Sequence, residues 1–214
     1  MKGVFITFEG GEGCGKTTQI QYLRNWLRDN QPFLKSLITR EPGGTEGGDE
    51  IRKLLLEGNS DRWLPVTEAL MMHASRHEHV ERVIRPALAR GEIVISDRFI
   101  DSTDVYQGFV AGVKRSSLDF LTDLSCGKIK PDLTFLLDID SETGLARTLN
   151  RVSGETRFES KGKFFHEKVR KGFMECSKAS PRRFIVLDAS RSEKEIFDDI
   201  KRHFISALAS KGLI

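Results

Sequence analysis

Along this 214-residue chain, short apolar runs alternate with longer stretches in which apolar residues recur every three or four positions. The short runs lie at 4–8, 34–39, 93–96, 133–137 and 184–187 and predict strands. The longer stretches, at 16–28, 46–56, 66–90, 117–125, 141–150, 163–174 and 193–209, carry helical spacing. Strands separated by helices predict an α/β fold in which a five-stranded parallel sheet is covered on both faces by crossover helices, three layers in all. No repeat, low-complexity tract or interdomain linker interrupts this order, and residues 1–214 read as one domain. The stretch 151–162 breaks the pattern: it is polar, contains glycine and carries both charges, which marks a mobile loop and a candidate lid.

Composition narrows the class. Hydrophobic residues at 38% and charged residues at 30% suit an ordinary core with a solvated surface. A net charge of +3, with basic residues spread along the chain, gives no reason to expect a nucleic-acid partner but suits a site for phosphate esters. The opening Met-Lys-Gly-Val-Phe-Ile-Thr-Phe-Glu-Gly has too short an apolar run for a signal peptide and reads as a buried first strand. No apolar run approaches the roughly 20 residues of a membrane span, so no membrane partner is expected. Cys14, Cys126 and Cys176 are scattered without disulfide or metal spacing, which makes the reducing cytoplasm the expected compartment. His73, His77 and His79 cluster on one predicted helix, but no zinc motif surrounds them.

The first strand runs directly into Gly10-Gly11-Glu12-Gly13-Cys14-Gly15-Lys16-Thr17, which satisfies G-x-x-x-x-G-K-[ST] between a strand and a helix. Such a loop turns backbone N–H groups around phosphates at the positive end of the following helix. Lys16 supplies a point charge for the β- and γ-phosphates of ATP, Thr17 a hydroxyl for Mg²⁺, and Thr18 completes the expected nucleotide-binding set. A second signal is Ile93-Val94-Ile95-Ser96-Asp97-Arg98. An apolar strand ending in Asp97 is where a water-mediated second Mg²⁺ anchor belongs, and Arg98 beside it can clamp a phosphoryl oxygen. The competing reading is an Asp–Arg pair that merely caps a strand. No Asn-Lys-x-Asp motif of a GTPase occurs.

These motifs sit among others: Thr39-Arg40-Glu41-Pro42-Gly43-Gly44-Thr45, Ala74-Ser75-Arg76, Ser102-Thr103, Tyr106-Gln107-Gly108 and Pro131-Asp132-Leu133-Thr134-Phe135-Leu136-Leu137-Asp138. In order and spacing the chain resembles the bacterial thymidylate kinases along nearly its whole length. That resemblance implies ATP as phosphoryl donor, Mg²⁺ as cofactor and thymidine 5′-monophosphate (dTMP) as acceptor. It also implies roles by position. Glu12 would meet the sugar 3′-hydroxyl, and Arg98 would hold the acceptor phosphate. Arg76 would hydrogen-bond a thymine carbonyl, with Thr103 and Ser102 close by. Tyr106 would crowd the 2′ position and favour deoxyribose, and Gln107 would line the same pocket. Arg40 would reach the phosphates from a turn at Pro42, where the family tends to a cis peptide bond.

The P-loop positions 11–14 carry no Arg or Lys, so the resemblance implies a basic residue from the lid. Arg147, Arg151 and Arg157 are available, and Arg151 and Arg157 are the two expected to act on the transferring phosphoryl group. Four positions depart from the family pattern: Met72 stands where a Phe stacks on thymine, Phe99 replaces Tyr or His, Thr156 replaces Asp and Cys14 replaces Ala. Methionine can still cover a ring face through its sulfur. The family's helix-mediated pairing implies a homodimer. Two rivals stay open at this stage: a nucleotide or nucleoside kinase of the same fold with another base in its pocket, and a non-catalytic P-loop switch.

Overall fold

The computed structural model describes residues 3–148, 157–158 and 161–214. Five parallel strands form one sheet: β1 (Val4–Glu9), β2 (Ser36–Arg40), β3 (Ile93–Asp97), β4 (Leu133–Asp138) and β5 (Phe184–Asp188), in the order β2-β3-β1-β4-β5. The helices are α1 (Lys16–Asn30), α2 (Glu46–Leu56), α3 (Pro65–His79), α4 (Arg85–Ala89), α5 (Ile100–Thr103), α6 (Arg115–Cys126), α7 (Ser141–Thr148), α8 (Lys163–Ala179) and α9 (Glu193–Ser210). All five expected strands are present, with ends moved by one or two residues.

The sequence of β1 explains its central place. Val-Phe-Ile-Thr-Phe-Glu is buried throughout, as a strand covered on both faces must be. Side chains alternate across the pleat. Val4, Ile6 and Phe8 pack towards α1 and α9 with Ile20, Leu23, Leu27, Ile200 and Phe204. Phe5 faces the other layer with Ile84, Val94 and Phe99. A third cluster, around Leu136, Val105, Tyr106 and Phe173, gathers residues of β4, α8 and the segment before α6. Edge strand β2 has only β3 as a partner and is correspondingly less buried.

Two departures from the predicted elements matter for the site. The single helix expected over 66–90 is instead α3, a π-helical turn at Val80–Ile84, and α4. Arg85 N–H bonds the Val80 carbonyl, five residues back, immediately before Pro86, which has no N–H to give. The segment after Arg98, to which the apolar spacing assigns no element, is helical too. It begins as α5 and widens into a π-helix over Asp104–Val110, where Ala111 N–H reaches the Tyr106 carbonyl. The expected lid, 151–162, falls mostly outside the described residues.

Candidate active site

The sheet's C-terminal ends of β1, β2 and β3 open on a cleft, as ligand sites in open α/β sheets do. Its lining brings together P-loop residues 12–17 and the turn of Arg40, Glu41 and Pro42. Met72 and Arg76 come from α3, Asp97 from β3, and Arg98, Ser102, Thr103, Tyr106 and Gln107 from the segment after it. All of these except Glu41 are expected site residues, and they are separated by up to 95 positions in sequence. Gly10 and Gly11 line a small neighbouring recess instead, and Thr18 is not on the cleft.

The P-loop bends where its glycines permit. Gly13 sits at φ +67°, and a Cβ there would lie 1.9 Å from the Gly144 carbonyl oxygen of α7, so only glycine fits. Lys16 is buried and donates from Nζ to the carbonyls of Gly10 (3.1 Å) and Gly11 (3.0 Å), which aims its charge across the mouth of the loop. Thr17 donates its hydroxyl to Asp97 Oδ2 at 3.3 Å. A hydroxyl and a carboxylate side by side at the foot of a phosphate loop form a suitable oxygen donor pair for Mg²⁺.

Arg98 occupies the left-handed region at φ +70°. It donates from Nη2 to Glu12 Oε1 (2.9 Å) and from Nη1 to the Gly10 carbonyl and Ser102 Oγ (both 3.1 Å), and its guanidinium lies over the Tyr106 ring. Tyr106 donates to the same Glu12 oxygen at 3.1 Å. Burial works to raise the Glu12 pKa, but Arg98, Lys16 and the Tyr106 hydroxyl together outweigh it and keep the carboxyl below its usual range. Burial also works against the charge on Arg98, and the surrounding Tyr106, Glu12, Asp97 and Glu9 overcome it. Burial pushes Tyr106 upward, so its hydroxyl is a neutral donor.

At the opposite end, Arg76 is 2% exposed and fully engaged. It donates to Glu41 Oε2 (2.7 Å), Thr103 Oγ1 (2.9 Å) and the Phe99 carbonyl (3.2 Å). Glu41 is also contacted by His79 Nδ1 at 3.0 Å, and the Glu41–Pro42 peptide bond is cis. His73, behind Arg76, is driven down to about 3 by burial and by the neighbouring guanidinium, so this imidazole is neutral.

Arg157 lies away from the other expected site residues. Its side chain is 1% exposed and does not line the cleft. It pairs with Glu68 Oε1 and donates to the carbonyls of Leu55 (3.0 Å), Asn59 (3.1 Å) and Ser60 (3.3 Å) at the end of α2 and just beyond. A guanidinium there meets the negative end of a helix, which is a structural setting. Its neighbour Phe158 does reach the cleft, edge-on to Tyr106 with ring centroids 5.5 Å apart. Arg151 lies outside the described residues.

Sequence reasoning missed four contributors. Arg52 lines the cleft and donates to the Pro42 carbonyl at 2.8 Å. Glu41 and Phe158 enter through folding alone. Glu9, at the end of β1, accepts from Phe99 N–H (2.8 Å) and Ser102 Oγ (2.7 Å), and so fixes the backbone on which Arg98 stands. Its only sequence signal is an acid at the end of a buried strand.

A family model described as thymidylate kinase matches residues 8–200. A thymidylate kinase of Dinoroseobacter shibae is 47% identical over 205 residues, covering 96% of this chain and 98% of the relative. One from Caulobacter vibrioides is 48% identical over 188 residues, covering 88% and 89%. The crystal structure of thymidylate kinase from Ehrlichia chaffeensis superposes with a TM-score of 0.76 at 33% identity, covering 95% of this chain and 99% of that one. With its P-loop, its Asp97–Arg98 strand end and its Arg76 pocket arranged around one cleft, the chain belongs to the thymidylate kinase family.

Proposed function

We propose that the cleft transfers the γ-phosphoryl group of ATP to the 5′-phosphate of dTMP, giving ADP and dTDP. The observation that carries this reading is the meeting, in one cleft, of a donor-phosphate loop (12–17) and an acceptor set of Arg76, Arg98, Thr103, Tyr106 and Gln107. A P-loop switch has no need of the second set.

An oxygen of the acceptor phosphate forms the new P–O bond while the bond between the γ-phosphorus and the β,γ-bridging oxygen breaks. That acceptor oxygen is ionised near neutral pH, so no general base is required, and catalysis is positioning and charge neutralisation. Lys16 faces the donor β- and γ-phosphates. Arg98, with Arg40 and Arg52 on the lining of the same cleft, holds the acceptor phosphate. Thr17 and Asp97 would hold Mg²⁺, which would supply neutralisation of the phosphate charge there. Glu12 and Tyr106 meet the deoxyribose, and Met72, Arg76, Thr103 and Gln107 surround the base. The lid arginine of this mechanism is Arg151, because a role for Arg157 would require it to abandon Glu68 and three carbonyls. The reading includes a cytoplasmic location, and a homodimer supported by exposed Val66 and Leu70 on α3 beside exposed Phe120 and Leu124 on α6.

The test is ADP formation from ATP and Mg²⁺ with dTMP, TMP (its ribose counterpart), dCMP, dGMP or no acceptor. Strong stimulation by dTMP, weak stimulation by its ribose counterpart, and a fall in kcat of about 10²-fold or more for Lys16→Ala and Arg98→Ala are expected. Another preferred acceptor would overturn the base assignment. ADP formation independent of any acceptor would overturn the kinase.

A further inference from the structure

Glu68 on α3 is buried and has no place in the assignments above. Its two oxygens are divided between two partners. Arg157 Nη2 pairs with Oε1, and Gln107 Nε2 donates to Oε2 at 3.0 Å. Gln107 lines the cleft beside Tyr106, and its Oε1 is buried with no hydrogen-bond partner among the described residues. The two facts are linked. A carboxylate held by an arginine accepts hydrogen bonds and does not give them. Turning the Gln107 amide over would set its oxygen against Glu68 Oε2, two acceptors in contact in a buried site. The orientation of the amide is therefore decided by Glu68, and the end left over is an acceptor.

We propose that Glu68 is a specificity-determining positioning residue: by holding Gln107 Nε2 it offers Gln107 Oε1 to the base as a fixed acceptor. This rests on the reading of the cleft as a deoxynucleoside monophosphate site. A buried acceptor selects a pyrimidine that carries an N–H at ring position 3, as thymine and uracil do. It disfavours cytosine, whose N3 is itself an acceptor and would leave two lone pairs facing each other. Arg157 keeps the carboxylate in place from behind, which gives its burial a consequence for the base it never touches.

The test compares kcat and KM for dTMP, dUMP and dCMP in the wild type, Glu68→Gln, Arg157→Met and the double variant Glu68→Gln/Arg157→Met. The wild type alone tests the underlying reading, which fails if dCMP or a purine is the better acceptor. In Glu68→Gln the new amide can give or accept, so Gln107 is free to turn. The dTMP-to-dCMP ratio of kcat/KM should then fall about tenfold or more, through the acceptor's KM and with KM for ATP unchanged. The double variant removes the charge that the single one leaves uncompensated and predicts the same fall. Arg157→Met takes away the cation that holds the Glu68 carboxylate in place and should lower the ratio as well. A merely structural Glu68 would lower every acceptor in proportion, and an unchanged ratio in both Gln variants overturns the proposal. The wild type offers a check that needs no variant. N3-methylated dTMP lacks the donor and should lose about tenfold or more in kcat/KM, and full retention would also overturn it.

Discussion

At the scale of single residues, the site depends on a strained arginine held by a buried acid. Arg98 at φ +70° is in a region that costs a residue with a Cβ about 1–3 kcal/mol. Three contacts hold it there: Arg98 N–H on the Phe8 carbonyl (3.0 Å), Ser96 Oγ on the Arg98 carbonyl (2.8 Å) and Phe99 N–H on Glu9 (2.8 Å). Glu9 has Asp101 and Ser102 of α5, Arg98, Arg183 and Cys176 of α8 around it. Burial first, and then Asp101, raise its pKa to about 8 despite Arg98 and the two hydrogen bonds. The raised value means that the folded protein holds a proton which the unfolded chain releases near 4.5. The stability contributed is therefore full below that unfolded value and is lost as pH rises through about 8. Thermal melting should show the wild-type Tm falling between about pH 5 and pH 8 more steeply than that of Glu9→Gln, which is neutral throughout. Parallel curves would remove Glu9 as the cause.

At the scale of elements, the nucleotide loop is shaped by its neighbours as much as by its own motif. α7 presses on it through glycine alone: a Cβ on Gly144 would meet the Glu12 carbonyl oxygen at 2.5 Å, and one on Gly13 would meet Gly144. Gly144→Ala should force the P-loop to shift, raising KM for ATP and costing about 1–3 kcal/mol of stability by denaturant titration. An ATP KM equal to wild type would show that the loop does not feel α7. The π-helix Asp104–Val110 acts on the acceptor side. From adjacent positions on it, Tyr106 meets Glu12 and Gln107 meets Glu68. The Pro86 break after α3 was readable as a proline in a long helical run. The second π segment, with no such marker, was not.

At the scale of the whole molecule, α3 and α6 pack side by side and leave Val66, Leu70, Phe120 and Leu124 in solvent. Apolar residues grouped in this way on neighbouring helices mark an interaction surface. If a second copy covers them, light scattering should give a dimer for the wild type and a monomer for Leu70→Glu/Phe120→Glu, with the melting temperature then dependent on concentration only in the former. A wild type that is monomeric at micromolar concentration would remove the dimer from the proposal. Ordinary surface exposure predicts no difference between the two.

The amino-acid sequence by itself determined the order of five strands and their crossover helices, because apolar periodicity reports local burial. It determined the P-loop and the Asp97–Arg98 strand end as well, since each is a contiguous run whose geometry follows from strand, glycine turn and helix. Its motif blocks also carried the family, to which the chain indeed belongs. The tertiary structure decided what depends on residues that meet only after folding. Glu41 meets Arg76, Glu9 meets Ser102, and Arg157 meets Glu68, 89 positions away. Arg157 is the clearest case: its charge and its place in a polar stretch look the same whether it faces phosphate or is buried against a carboxylate. Only the folded chain, which brings the end of α2 and a buried acid of α3 around it, separates the two.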